Sequence, residues 1–204
     1  MNLYTYTVVR DYGFAPNPFN GVCTLATCKP PIRSGAQIGD WVIGTGSVKY
    51  GLENHLVYAM EVNEKLSFDL YWNDPRFQFK KPKMSGSTKK MFGDNIYHRP
   101  LNTLKWEQAD SHHSHANGLA NPKNLNRDTS KDAVLISFNF YYFGSAAILI
   151  PKSFHDDFCY NYVGQKKITD DKKIKSFLAW LHGNNEAGYK AHPMLFKSFE
   201  RFPG

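Results

Sequence analysis

The sequence is poor in cysteine and in long apolar runs, and both shortages narrow the classes of protein it can belong to. Three cysteines among 204 residues are an odd number, which in a chain without a secretory signal argues against a disulfide framework. No stretch approaches the roughly 20 apolar residues that span a bilayer. The segment MNLYTYTVVRDYG also lacks the basic start and apolar run of a signal peptide. We therefore expect a cytoplasmic protein with reduced thiols and no membrane association.

The familiar phosphate-binding and zinc-binding spacings are missing as well. The stretch GDWVIGTGS lacks the GxxxxGK[ST] spacing of a P-loop, and Gly44 with Gly46 alone does not make a dinucleotide fingerprint. Cys23 and Cys28 have four residues between them rather than the usual two, and no second pair follows. The sequence therefore indicates neither a metal site nor a cofactor.

Positive charge, by contrast, is plentiful. Twenty-five Lys and Arg residues against eighteen Asp and Glu give a formal net charge of +7. This excess favours an anionic partner, although a solvated basic surface would explain it equally well. The lysines come in pairs, a pattern that suits the lip of a groove: Lys80-Lys81, Lys89-Lys90, Lys166-Lys167 and Lys172-Lys173.

The residue pattern predicts a mostly β protein of the α+β class, with two or three peripheral helices. Hydrophobic residues make up 42% of the chain, which suits one domain over 1–204. Alternating β-branched and aromatic residues predict five strands, at 3–10, from 41, at 56–63, at 133–144 and at 145–151. Helices are predicted at 67–73, 151–158 and 170–183. Pro30 and Pro31 are expected to stop any regular element, and 110–132 to form a long loop.

Two short polar stretches could carry acid-base chemistry. In DSHHSH, residues 110–115, Asp110 could orient His112 as a base, and a plain polar loop is the alternative. Metal binding is less convincing, because adjacent side chains rarely converge on one ion. In GDNIYH, residues 93–98, Asp94 could act as a general base or recognise an exocyclic amine, with Tyr97 facing the same site. A simple Asx turn is the alternative for this second stretch.

A third stretch, NDPRFQFKKP, could bind phosphate. Arg76, Lys80 and Lys81 would form the clamp, and Asp74 would orient the arginine. The alternative is a turn that ends the preceding helix and carries surface charges.

Several segments resemble known families. IRSGAQIGDWVIGTGS and the following HLVYAMEVNEKLSFDLYWNDPRF resemble PUA-like barrels of the EVE and ASCH type. A closer resemblance, carried by GFAPNPFNGVCTLATCKPPIR, GDWVIGTGS, LVYAMEV, YWNDPRF, GDNIYH and DSHHS, is to the second nucleotide-modification-associated domain family, found in phage and bacterial DNA-hypermodification gene sets. These resemblances imply a mostly antiparallel barrel core over about 1–150, a C-terminal helical segment over about 151–204, and an association with modified nucleotides.

The PUA-like resemblance also implies where a ligand would lie. Such barrels hold a base between the barrel mouth and the segment that joins the first strand to the Gly-Asp turn. Extruding a base costs a few kcal/mol, which stacking on platforms such as Phe19 or Trp72 must recover. The alternative is that these aromatic residues are simply core. The resemblance places near the ligand Asn17, Phe19, Thr24, Thr27, Lys29 and Arg33, with Trp41 at the base of the pocket.

Three functions remain open from the sequence. The first is binding of a modified base or nucleotide, associated with nucleic-acid modification or phage-host defence. The second is an enzyme of DNA base hypermodification, with Asp94 and His112 as acid-base residues. Cys23 or Cys28 would be a weaker nucleophile, because no histidine adjacent in sequence supports a thiolate. The third is a protein that sequesters or senses a small nucleotide. The sequence does not indicate an oligomeric state.

Overall fold

The computed structural model describes residues 1–160 and 164–204. The strands are β1 Leu3–Val8, β2 Cys23–Leu25, β3 Trp41–Gly46, β4 His55–Glu61, β5 Glu64–Leu66, β6 Tyr97–His98, β7 Glu107–Gln108, β8 Val134–Ser137, β9 Phe140–Tyr142, β10 Ile148–Leu149, β11 Lys166–Ile168 and β12 Gly188–Tyr189. The helices are α1 Pro30–Gly35, α2 Phe68–Asn73, α3 Thr88–Met91, α4 Pro122–Thr129, α5 His155–Phe158 and α6 Asp171–Asn184. Within the described ranges, no helix combines the length and apolarity needed to cross a membrane.

A seven-stranded sheet forms the centre of this α+β fold. Its strands follow the order β11, β1, β3, β4, β9, β12, and β10 also pairs with β4. The β1–β3 and β9–β12 pairs are parallel, while the other pairs in this sheet are antiparallel. The described strands leave β11 and β12 as separate edges, so no closed barrel is found and the predicted PUA-like barrel is not confirmed.

Alternation along the strands of this sheet buries both of its faces. Leu3, Trp41 and Ile43 pack on one face against the apolar stripe of α6, which is formed by Ile174, Phe177, Leu178 and Leu181. Tyr6 and Val42 point to the opposite face, where they pack with residues of β2, β8 and α1. The helix predicted at 170–183 is therefore confirmed, and its apolar stripe covers one side of the sheet.

A smaller sheet with the order β2, β8, β5 lies on the second face. Behind it, Phe68 and Tyr71 of α2 pack with residues of β8 and of the segment around β6. The helix predicted at 67–73 is confirmed, and the Ser67 hydroxyl caps it by accepting a hydrogen bond from the Leu70 N–H.

Close approaches of the chain account for the glycines of β3. A Cβ on Gly44 would lie 2.4 Å from the ring of Tyr58, and one on Gly46 would lie 2.3 Å from the carbonyl oxygen of Leu52. The protein's own side chains and backbone therefore fill the space that these glycines leave.

Two predictions of irregular structure are wrong. Pro30 and Pro31 begin α1 instead of preventing a regular element, because the first turn of a helix has no use for their missing N–H groups. The predicted loop at 110–132 contains α4, capped by the side chain of Asn121. The residues of α4 that are buried, Asn124 and Asp128, are polar. Hydrophobic periodicity could therefore not reveal this helix.

The C-terminal segment contributes more than helices. Over 151–204 it supplies α5 and α6, and it also supplies the two edge strands of the large sheet. β11 pairs with β1, and β12 pairs with β9.

Candidate functional site

A cavity of about 210 Å³, here called the Cys28 pocket, opens beside β1. Aromatic rings of Tyr6, Tyr12, Phe14 and Phe202 contribute to its walls. The lining also contains two cationic residues, Arg10 and Lys29. Three further lining residues can transfer a proton or act as a nucleophile: Cys28, His112 and His113. The pocket therefore combines flat apolar surfaces with positive charge and reactive side chains.

Three residues from distant parts of the chain form what we call the thiol cluster: Cys28, His113 and Asp128. Cys28 follows β2, His113 precedes α4, and Asp128 lies in α4. The thiol Sγ of Cys28 is 3.9 Å from Nε2 of His113, and Nδ1 of His113 lies 2.8 Å from Oδ2 of Asp128. This order of thiol, imidazole and carboxylate is that of a nucleophile, a base and the group that orients the base.

Asp128 is completely buried, and protein donors satisfy both of its oxygens. Oδ2 accepts from His113 and from the hydroxyl of Tyr97, which is 2.9 Å away. Oδ1 accepts from Nε of Arg127 and from the backbone N–H of Cys28, each at 3.0 Å. The carboxylate thus holds both the imidazole and the backbone of the cysteine in place.

The two histidines of the pocket have opposite pKa shifts. Burial would lower the pKa of His113, but the hydrogen bond to Asp128 and the contact with Cys28 outweigh it and raise the pKa to about 9. Burial, reinforced by the neighbouring charge of His113, lowers the pKa of His112 to about 3. Burial would raise the pKa of Asp128, yet His113 and Arg127 hold it well below its usual range. At neutral pH, His113 is therefore protonated and His112 is neutral.

The backbone at the thiol is in a conformation that L-residues rarely adopt. Cys28 has φ +58° and Lys29 has φ +40°, both in the left-handed region. The side chain of Arg33, buried beneath this turn, donates to the carbonyl oxygens of Cys28, Asp128, Lys131 and Ala133. Backbone strain of this kind is found at functional sites when surrounding contacts hold it, as Arg33 does here.

The three cysteines have different surroundings. Cys23 is completely buried within β2, and burial raises the pKa of its thiol to about 12. Cys159 is half-buried, and burial raises its pKa to about 11. Cys28 is half-buried, and of the three it is the one that lines the pocket. The described residues contain no group of three or more His, Cys, Asp or Glu side chains arranged to hold a metal ion.

Some of the residues predicted for the site line the pocket, and others are brought together elsewhere. Lys29 and His112 are pocket residues. The ammonium of Lys29 lies 4.6 Å from the ring centre of Tyr6 and donates to the carbonyl oxygen of Gly164 at 3.1 Å. Nδ1 of His112 is hydrogen-bonded to the carbonyl oxygen of Glu200.

A second buried cluster contains four of the other predicted residues. Oδ2 of Asp94 accepts from the hydroxyl of Thr24 at 2.5 Å, and Oδ1 accepts from Tyr71 at 2.8 Å. Lys80 donates to the backbone and side-chain oxygens of Asn17 at 2.9 and 2.7 Å. Burial lowers the pKa of Lys80 to about 8, although the charge of Asp94 opposes the shift. Asp94 and Lys80 thus lie in the interior, bonded to protein groups.

The remaining predicted residues are distributed over the core and the surface. Trp41 is buried beneath α6, on the opposite face of the large sheet from Tyr6. Phe19 lies in a separate surface cleft, and the buried hydroxyl of Thr27 has no hydrogen-bond partner among the described residues. Arg76 forms ion pairs with Glu64 and Asp74 on the surface. Trp72 stacks on His98 with ring centres 3.9 Å apart, and the ammonium of Lys81 lies 3.7 Å from the centre of the Trp72 ring.

A second concave surface, here called the lysine groove, has a volume of about 590 Å³. Lys81, Lys83, Lys89 and Lys90 line it together with the half-exposed ring of Phe79. Among the described residues, no acidic side chain lines this groove, so it presents positive charge beside an aromatic ring.

Comparison with known families shows which family this chain belongs to. A family model described as "nucleotide modification associated domain 2" matches residues 1–200. The chain belongs to this family. The match covers nearly all of the chain, including the thiol cluster and the lysine groove, and of the pocket lining Phe202 lies beyond the matched residues. No curated protein and no solved structure matches the chain.

In this member of the nucleotide modification associated domain 2 family, sequence reasoning named Cys28 only as a weaker candidate nucleophile and missed the other two residues of the thiol cluster. His113 stands in the DSHHSH stretch, in which His112 is the predicted base, and Asp128 lies in α4, within the predicted loop at 110–132. The absence of a histidine adjacent in sequence did not exclude a partner for the thiol, because His113 is 85 residues from Cys28 and yet lies beside it. The sequence feature that could have indicated the cluster is a cysteine outside any disulfide, Cys28, together with the histidines and aspartates of the polar segment 110–132.

Proposed function

We propose that the protein binds a nucleotide whose base enters the Cys28 pocket. The single observation that carries this proposal is the lining of the pocket, where aromatic rings of Tyr6, Tyr12 and Phe202 occur together with Arg10 and Lys29. Aromatic faces stack on any base, and cations at the rim suit a phosphate group. The family to which the chain belongs supports a nucleotide ligand. The sequence resemblance of about residues 3–80 to PUA-like proteins also favours recognition of a modified base.

The size of the pocket limits what it encloses. Its volume of about 210 Å³ is below the roughly 300–1,000 Å³ of pockets that enclose drug-sized ligands. A single base with a small substituent suits this volume, and the sugar and phosphate would then lie at the rim near Arg10. This residue is exposed, and its guanidinium is 4.6 Å from the ring centre of Phe202.

The lysine groove favours a polynucleotide over a free nucleotide. Four lysines around one groove can follow a phosphate backbone, and the exposed ring of Phe79 offers a stacking surface. Lys81, predicted as a phosphate contact, lines this groove. The alternative is a protein that sequesters or senses a small nucleotide. Such a protein would bind its ligand in the Cys28 pocket alone, and the lysine groove would have no role in binding.

Catalysis by Asp94 and His112 stays a prediction. His112 lines the pocket, but burial keeps its pKa near 3, so it would serve as a hydrogen-bonding group or a weak base. Asp94 bonds to Thr24 and Tyr71 in the interior, so a direct contact with substrate would require that cluster to open.

A binding titration tests the proposal. Calorimetry on the full chain would compare unmodified and modified mononucleotides with a short single-stranded oligonucleotide. Phe202→Ala and Arg10→Gln should each weaken binding by about tenfold, because each removes a stacking face or a charge-assisted hydrogen bond. Lys152→Gln, an exposed lysine outside the pocket lining, is the matched control.

Salt dependence separates the two kinds of ligand. Polynucleotide binding through the lysine groove should weaken steeply with salt, and Lys83→Gln with Lys90→Gln should reduce that slope. A mononucleotide that binds equally well at all salt concentrations, with no binding of the oligonucleotide, would support the small-ligand alternative. If no nucleotide of either kind binds, or if Phe202→Ala and Arg10→Gln bind as the wild type does, the proposal is wrong.

A further inference from the structure

The thiol cluster is open to the pocket at one end and closed by protein at the other. Cys28 and His113 both line the cavity, whereas Asp128 is completely buried behind them. A molecule in the pocket can therefore reach the thiol and the imidazole, while the carboxylate acts only through the imidazole. This is the arrangement that a covalent reaction at sulfur requires.

We propose that Cys28 is a catalytic nucleophile that takes an acyl group from a substrate in this pocket. His113 transfers the proton, and Asp128 is a positioning residue that fixes the orientation of the His113 ring. The proposal rests on the proposed function for its substrate class: a nucleotide whose base carries a substituent joined through an amide or ester bond.

The reaction is balanced with water as its co-reactant. The Cys28 thiolate attacks the acyl carbon and forms an S–C bond, and the bond from that carbon to nitrogen or oxygen breaks. His113 gives its proton to the leaving amine or alcohol. In the second half, His113 takes a proton from water, and the resulting hydroxide attacks the thioester. The products are a free carboxylic acid and the Cys28 thiolate beside protonated His113, which is the state in which the cycle began. No electrons are gained or lost overall.

The charges around the cluster support its role in proton transfer. His113 faces Cys28 on one side and Asp128 on the other, and Arg127 donates to the same carboxylate. Lys29 follows Cys28 in the chain and lines the same pocket. The cationic form of His113, held by its hydrogen bond to Asp128, supplies the acid that the first half of the reaction needs.

The other two thiols provide internal controls. Cys23 is completely buried in β2, where neither reagent nor substrate reaches it. Cys159 is half-buried like Cys28 but packs against the core on the other face of the large sheet, a core that includes Phe158. Accessibility alone would therefore make Cys28 and Cys159 similar, and the thiol cluster makes them different.

The test uses p-nitrophenyl acetate as an activated acyl donor with the full chain. We expect a rapid burst of p-nitrophenolate, and peptide mass spectrometry should locate the acetyl group on Cys28. Cys28→Ser should abolish the burst, and Cys159→Ser should leave it unchanged. His113→Ala should slow acylation by about 10²-fold, the scale of general acid-base catalysis, and added imidazole should restore part of the rate. Such chemical rescue would not occur if His113 only supported the fold.

Nucleotide binding by the same variants separates this proposal from the proposed function. Nucleotide binding with no burst, or with acetylation at Cys159 or at lysines instead of Cys28, overturns the catalytic role and leaves the binding proposal intact. A burst at Cys28 without nucleotide binding overturns the substrate class and leaves the thiol chemistry. If folded His113→Ala acylates at the wild-type rate, the assignment of His113 is wrong.

Discussion

Two adjacent buried histidines are expected to change the stability of the protein in opposite directions with pH. Burial, together with the charge of its neighbour, lowers the pKa of His112 to about 3. For His113, burial acts in the same direction, but Asp128 and Cys28 outweigh it and raise the pKa to about 9. In the unfolded chain, both side chains should titrate near the ordinary value of about 6.5.

His113 stabilises the folded protein when it is protonated. Because its folded pKa lies above the unfolded value, the stabilisation is complete below about pH 6.5 and is lost as the pH rises through about 9. At about 1.4 kcal/mol per pKa unit, the two titration curves give a loss of about 2 kcal/mol between pH 7 and pH 9.

Protonation of His112 changes the free energy of unfolding in the opposite direction. Its pKa in the folded state lies below the value in the unfolded chain. On acidification, the unfolded chain therefore binds a proton at His112 before the folded state does, which favours unfolding. The resulting loss of stability begins as the pH falls below about 6.5, and it amounts to about 2 kcal/mol between pH 7 and pH 5.

Urea unfolding of the full chain at pH 5, 7 and 9 measures both effects, with His113→Gln and His112→Gln as matched variants. Subtracting each variant's free energy of unfolding from that of the wild type, and comparing the difference across pH, cancels the constant loss of packing. The His113 difference should shrink by about 2 kcal/mol from pH 7 to pH 9, and the His112 difference by about 2 kcal/mol from pH 7 to pH 5. A His113 difference that stays flat or grows above pH 7 would refute a protonated His113, and with it the acid that the thiol cluster requires.

Further substitutions test the two buried clusters and the unexpected helix. Asp128→Asn should lower the free energy of unfolding by about 3–5 kcal/mol, because it breaks a buried ion pair, and a loss below about 1 kcal/mol would contradict the ionised state of this residue. Lys80→Met should cost a similar amount, since buried oxygens that include those of Asn17 lose their donor, whereas the exposed control Lys152→Met should change stability by less than about 0.5 kcal/mol. Asn121→Ala should cost about 1 kcal/mol through loss of the cap of α4, and circular dichroism during thermal unfolding would show an unchanged midpoint if this cap contributes nothing.

The fold was predictable wherever one periodicity governed a segment. The apolar stripe of α6 and the Ser67 cap of α2 are local signals, and both helices lie where those signals place them. Strand order is different, because the parallel pairing of β1 with β3 and the addition of β11 and β12 at the two edges depend on contacts between distant segments. No local pattern encodes such contacts, and the expected barrel was inferred from a resemblance instead.

The site was less predictable for a related reason. Its residues are polar and buried, and sequence reasoning assigns polar residues to the surface by default. Arg33 is an example: it was expected near a ligand, yet its guanidinium is completely buried and joins the Cys28 turn to α4 and to the start of β8 by hydrogen bonds to carbonyl oxygens. One buried arginine therefore brings the cysteine and the aspartate into one cluster, and neither neighbour of Arg33 in the sequence reveals this.

Shifted pKa values alone do not separate a structural cluster from a functional one. Burial raises the pKa of Asp94 and lowers that of Lys80 to about 8, and yet both side chains are completely enclosed by protein groups. The thiol of Cys28 differs because it borders a cavity that a reacting group can enter, with a proton-transfer partner, His113, already in place. A buried or half-buried polar side chain becomes a candidate for chemistry when a substrate can reach it. Access to the pocket, more than residue type, is therefore what favours Cys28 over Asp94 as the proposed nucleophile.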